Sequence, residues 1–196
     1  MAISKKFVQS VRKSLEKHPE VEFDQLARSL NATEADVITA LPVAMRLKAR
    51  NTSFEGIWSV LSQWDNLGTV LFGKSKQSIP LRDGLALRLL KQGKLKISSQ
   101  DGDYSFDILK ESLAYIWFLS RTEKKGTTHS ICFLDKQGQH LLSFIPDAPE
   151  QDRSGNRQLD DFESMKKSFG VVPMPKNRCK GCKVCTCHAT TRAINA

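Results

Sequence analysis

Ala114–Ile145 reads AYIWFLSRTEKKGTTHSICFLDKQGQHLLSFI. Aromatic and β-branched residues crowd three runs: Ala114–Arg121, Ser130–Asp135 and Leu141–Ile145. Lys125-Gly126 and Gln137-Gly138 fall between them. Short apolar runs separated by Gly-containing turns are the pattern of antiparallel hairpins. Side chains alternate between the faces of a strand. Ile116, Phe118, Ile131, Phe133, Leu142 and Phe144, or else their alternate neighbours, are therefore expected on a buried face.

The same pattern extends toward the N-terminus. It predicts strands near Thr69–Phe72, Gln77–Leu81, Leu85–Leu90, Leu95–Ser99 and Tyr104–Leu109, with turns at Asp83-Gly84, Gln92-Gly93 and Asp101-Gly102. Before Gly68 the period is helical. Phe7, Val11 and Leu15 share one face, and Phe23, Leu26 and Leu30 repeat at helical spacing. Thr33 has the character of an N-cap with Asp36 three residues on, and Pro42 ends the segment. A further helix is predicted over Phe54–Trp64, and a last one over Gln158–Phe169 after a polar loop, Asp147–Asn156. The expected fold is α+β: a helical N-terminal cap on a large antiparallel β-sheet, a C-terminal helix and a short Cys-rich tail. The expected divisions are 1–64, a cap with a helix–turn–helix-like pair; 65–170, the sheet with its helix; and 171–196, a basic tail.

Composition narrows the class. The chain has 196 residues, 40% hydrophobic and 26% charged, which is ordinary for a globular protein. Its longest apolar run, Ala114–Leu119, is strand-sized, far short of the ~20 residues of a membrane helix. The N-terminus scatters Lys and Arg without an apolar block, so a cytoplasmic location is expected. Lys and Arg number 30 against 21 Asp and Glu, a net charge of +9. Five of the basic residues and no acidic one lie in Val171–Ala196. Such a stretch suits a polyanion, or tunes nearby thiols.

The helix–turn–helix pattern raises the question of DNA. Asn31–Pro42, the segment that would enter the groove, holds Glu34 and Asp36 and no Lys or Arg. Carboxylates facing phosphate are repelled, so a packing cap is expected and a nucleic-acid partner is not.

Four of the five cysteines fall in the tail, as Cys179, Cys182, Cys185 and Cys187, with His188 following. A C-x2-C-x2-C run lets one loop wrap several corners of an iron–sulfur cluster. Zinc takes four S or N donors and is the other candidate metal. Lys176, Arg178, Lys180 and Lys183 favour the thiolate form that binds either. Disulfide or redox chemistry is the non-metal alternative. No nucleophile elbow and no phosphate-binding Gly loop occurs, and no acid pair lies near a histidine, so hydrolase and nucleotide chemistry is not indicated. Aromatic residues on an open sheet surface would line a flat apolar pocket, with Arg88, Lys94, Lys96 and Arg121 as cations for ligand carboxylates.

Three segments carry a family resemblance: LARSLNATEADVITALP from Leu26, FEGIWSVLSQW from Phe54, and HSICFLDKQGQHLLSFI from His129. In this order they resemble the cytosolic haem-utilisation carriers of the ChuX/HutX type, and one half of the related HemS/ChuS haem-handling proteins. The resemblance spans about Phe23 to Phe169. It implies a helical cap on a large antiparallel sheet, a homodimer, and haem or a related tetrapyrrole bound across that sheet. It places the family's two haem-liganding histidines at Phe72 and Asp107, neither of which supplies an imidazole. The haem-pocket candidates are then Arg88, Tyr104, Tyr115 and His129, with the last three available to ligate iron. The function implied is a non-enzymatic haem carrier in iron acquisition. The alternatives are an iron–sulfur or redox protein using the cysteine tail, and an iron-sensing DNA-binding regulator.

Overall fold

The computed structural model describes residues 3–50, 53–64, 69–72, 77–80, 85–90, 93–99, 105–123, 126–146 and 153–171. Its helices are α1 (Lys5–Lys17), α2 (Phe23–Ser29), α3 (Glu34–Ala40), α4 (Phe54–Leu61) and α5 (Arg153–Phe169). The strands are β1 (Arg46–Lys48), β2 (Thr69–Phe72), β3 (Gln77–Pro80), β4 (Leu85–Leu90), β5 (Lys94–Ser99) and β6 (Ser105–Leu109). The longer β7 (Leu113–Glu123), β8 (Gly126–Asp135) and β9 (His140–Ile145) follow. All pairings are antiparallel, and the fold is α+β.

The strands divide between two sheets. Six run in the order β1-β7-β8-β9-β2-β3, and β4-β5-β6 form the other. β7 and β8 are buried on both faces in their middle stretches, where their apolar runs are continuous rather than alternating. Ile116, Phe118, Ile131, Phe133, Leu142 and Phe144 lie on one face, as the alternation predicts. They share a core with Ile57, Trp58 and Leu61 of α4, Phe162 and Met165 of α5, and Leu95 and Ile97 of β5. The alternate neighbours Trp117, Leu119, Cys132 and Leu134 form a second core with α1, α2 and α3. Both sets turn inward, each under its own helical layer. Residues 1–64 are thus split between the two cores.

Local chemistry fixes the cap. The Thr33 side chain accepts a hydrogen bond from the Asp36 amide at 3.1 Å, and Asp36 Oδ2 accepts one from the Thr33 amide at 3.1 Å. This reciprocal pair satisfies two donors at the start of α3. Glu34, Val37, Ile38 and Ala40 are buried, and Thr39 alone in α3 is exposed. Val37, Ile38 and Ala40 belong to the second core.

Two local expectations are corrected. Arg153–Asn156, read as loop, belongs to α5. Once Phe162 and Met165 anchor the helix, each further residue adds a hydrogen bond at little cost, so it extends back past Ser154 and Gly155. Arg46–Lys48, in a stretch read as helical, is an edge strand paired with Trp117–Leu119. Three residues carry no periodic signal of their own, and β7 supplies the pairing.

Candidate functional site

Phe72 and Asp107, the positions that the resemblance singles out, lie on different sheets. Phe72 ends β2 and pairs with Leu142 and Gln77. Asp107 is exposed on β6 opposite Lys96, and Arg88 stands opposite Lys96 on the other side. Arg88, Lys96 and Asp107 therefore occupy one row across the smaller sheet. Lys96 alternates with Leu95 and Ile97, which point into the shared core, so its side chain points away from that core.

Tyr115 lines a cleft at the edge of the main sheet. β1 pairs only with Trp117–Leu119. The Ala49 amide then donates to the Ile116 carbonyl at 2.8 Å, and the Arg50 amide turns off to the Phe169 carbonyl at 2.9 Å. The chain thereby leaves the edge of β7 before reaching Leu113–Tyr115, where the strand also carries a bulge. The result is a cleft of about 320 Å³, within the ~300–1,000 Å³ range of small-ligand sites. Phe54, Leu113 and Ile116 give it an apolar wall beside Tyr115. Its polar groups include Arg50, Lys110 and Lys136, and no carboxylate lines it among the described residues.

Lys110 is held in place. The 3-10 turn at Lys110–Ser112 returns the chain toward the cleft, fixed by the Lys110 amide on the Gly93 carbonyl at 2.8 Å. The Lys110 ammonium pairs with Glu55 and lies 5.5 Å from the Phe54 ring centroid. Hydrogen bonding from Lys110 holds the Glu55 carboxyl below its ordinary pKa. Lys48 Nζ lies 4.8 Å from the Tyr115 ring centroid. Ammonium groups over aromatic faces are stabilised by the ring quadrupole.

His129 is elsewhere. It pairs in register with Ser120, five steps along β7 from Tyr115, on the opposite face of the sheet. Its Nδ1 is 3.1 Å from Ser120 Oγ, and its ring lies 5.0 Å from that of Phe162. Burial is the main cause that lowers its pKa. Glu163 opposes the shift and Lys166 adds to it. Tyr115 and His129 therefore do not converge on one ligand. Tyr104 lies outside the described residues, and so do Cys179, Cys182, Cys185, Cys187 and His188. Among the described residues no group of three or more His, Cys, Asp or Glu is placed to hold a metal ion, and no helix is long and apolar enough to cross a membrane.

Sequence reasoning missed Arg50, Phe54 and Lys110 as companions of Tyr115, because only the tertiary fold brings these separated positions together. It also missed a buried polar group on the cap side. His140 Nε2 lies 2.7 Å from Ser143 Oγ, and Glu34, Cys132, His140 and Ser143 line a cavity of about 120 Å³.

No family model and no curated protein matches the chain. Solved structures do. A protein from Erwinia carotovora superimposes with a TM-score of 0.68 at 19% identity, over 81% of this chain and 98% of that one. The haem-binding protein ChuX gives a TM-score of 0.61 at 20% identity, over 81% of this chain and 98% of its own. ChuS, a haem-degrading enzyme of Escherichia coli O157:H7, gives 0.63 at 15% identity, over 86% of this chain and 48% of that one. The fold is shared with all three, and this chain spans about half of ChuS.

Proposed function

We propose that this chain is a haem-utilisation protein of the ChuX/HutX type, which binds haem or a related tetrapyrrole and passes it on unaltered. One observation carries the reading: the fold matches that of a haem-binding protein over 98% of the latter's length. The Tyr115 cleft supports it. A tetrapyrrole is a flat apolar ring with two carboxylates. Phe54, Leu113 and Ile116 suit the ring, while Arg50, Lys110 and Lys136 suit the carboxylates. Tyr115 is the oxygen donor available to iron, a ligand type that haem proteins use. Resemblance to the family makes the expected unit a homodimer in the cytoplasm.

Titration of haemin into the protein tests the reading. A saturable Soret band at one haem per chain is expected. Tyr115→Phe should shift its position, Arg50→Ala with Lys110→Ala should weaken binding about tenfold, and Asp107→Ala should leave both unchanged. Under reductant and oxygen the haem spectrum should persist, and apomyoglobin should withdraw the haem intact. No Soret band, or one that ignores Tyr115 and the cation pair alike, rules the cleft out. Loss of the band with release of bile pigment identifies a haem-degrading enzyme instead.

The cysteine spacing supports a second, separate reading, in which the tail binds an iron–sulfur cluster or zinc. It concerns residues outside the described fold and does not depend on the cleft.

A further inference from the structure

A row of cations runs along β1, at the edge of the main sheet. Arg46 and Lys48 are two residues apart, so their side chains share a face, about 7 Å from one another along the strand. Arg46 lies 5.4 Å from the Trp117 ring centroid, and Lys48 Nζ lies 4.8 Å from that of Tyr115. Arg50 and Lys136 continue the row at the Tyr115 cleft, which both line. These last two are exposed, while Arg46 and Lys48 are half-buried.

None of the four has an ion pair among the described residues. Lys110, at the same cleft, is left out of the count because Glu55 neutralises it. Asp135, next to Lys136 in sequence, turns its Oδ1 to the Gln139 amide at 2.8 Å. Burial first, and the charge of Arg12 second, lower the pKa of Arg46. The sequence adds to the excess at the same edge. The Val171 amide donates to the Lys48 carbonyl, and beyond Val171 come five basic residues and no acidic one. Like charges folded side by side repel one another, and an anionic partner relieves that repulsion.

The neighbouring rings decide which anion fits. Single-stranded nucleic acid relies on bare aromatic faces for stacking its bases. Here Lys48 and Arg46 already lie over Tyr115 and the buried Trp117. A duplex is served no better, since α3 has no basic residue to bring to a groove. Carboxylates need no ring. They pair with a guanidinium through two oxygens and with an ammonium as a point charge.

We propose that this edge is a docking surface for an acidic protein, whose Asp and Glu side chains meet Arg46, Lys48, Arg50 and Lys136. A partner seated there stands at the mouth of the Tyr115 cleft. The surface goes beyond the haem reading and does not depend on what the cleft binds.

Fluorescence anisotropy with a labelled poly-L-glutamate, in the absence of haem, tests the surface. Saturable binding that weakens as salt rises is expected. Lys48→Gln with Arg50→Gln and Lys136→Gln should weaken it about tenfold. The charge-keeping triple, Lys48→Arg with Arg50→Lys and Lys136→Arg, should stay within about twofold of the parent chain. So should Lys5→Gln with Lys6→Gln and Lys13→Gln, which removes the same charge from the exposed face of α1. Deleting Arg178–Ala196 should lower every affinity and keep this ranking. Poly-uridylate of equal charge should bind at least about threefold more weakly. No binding, equal losses from the β1 and α1 triples, or poly-uridylate bound as tightly would overturn the proposal, the last in favour of a nucleic-acid surface. With no haem in the titration, a failure of the haem reading leaves this result standing.

Discussion

His129 acquires its acid–base behaviour from where β8 places it. Between Ser120 and the Phe162 ring it is partly removed from water, and its pKa falls below the ordinary value of 6.5. The unfolded chain then binds a proton that the folded chain resists, so folding is more favourable at higher pH. This contribution is fully present above about pH 6.5, the unfolded value, and is lost as pH falls through the lower folded value. Urea midpoints between pH 5 and 7.5 should decline on the acid side. In His129→Gln, which keeps a polar group near Ser120, that decline should be shallower. Parallel curves for the two proteins would remove His129 from the account. The pairing with Ser120 also explains why the residue cannot cooperate with Tyr115. An odd number of steps along a strand reverses the face, and that parity is readable only once β7 is aligned with β8.

The β8–β9 turn packs closely against α3. Gly138 has φ +75°, and its carbonyl accepts the Ala35 amide at 3.0 Å. A Cβ there would stand 2.8 Å from Ala35 Cβ and 2.9 Å from Thr33 Oγ1. Gly126, the first residue of β8, has φ +134° and nothing within 4 Å of such an atom. Gly126→Ala should therefore cost only the backbone term, about 1–2 kcal/mol. Gly138→Ala adds overpacking and should cost roughly 2–4 kcal/mol. Denaturant melts that rank them equally would show the turn free to withdraw from α3. The hairpin itself was legible, since Asp135–Gly138 offers turn chemistry between strong apolar runs. Its docking was not, because nothing near Gly138 names Thr33 as a neighbour. Edge strand β1 was invisible for the same reason. The burial of both sheet faces lay in plain view in the unbroken run Tyr115–Leu119, which an alternation rule reads as half exposed. In the site, Tyr115 stood out as an aromatic in a strand. Arg50 and Lys110 looked like ordinary surface cations until β1 and the Lys110–Ser112 turn brought them together.

At the scale of the molecule, the described fold closes without the cysteine tail. Both cores are complete by Met165, and Phe169 packs on α4, its ring 2.6 Å from where a Cβ on Gly56 would stand. Deleting Arg178–Ala196 should leave the melting temperature unchanged. Iron or zinc bound after anaerobic purification should disappear with the deletion. Near-zero metal in both proteins, with iron and zinc supplied, would exclude a metal role for the tail. The departure point of that tail has a consequence of its own. Gly170 bridges Ala49, and the Val171 amide donates to the Lys48 carbonyl at 2.7 Å, so the last described residues are stitched to β1 beside the Tyr115 cleft. Cys179 follows Val171 by eight residues, a contour of at most about 29 Å. Confinement to a sphere of that radius corresponds to an effective concentration of order 10 mM for the first thiol at the cleft mouth. A tail peptide added separately at micromolar levels would thus miss any chemistry between the two that the tethered chain performs.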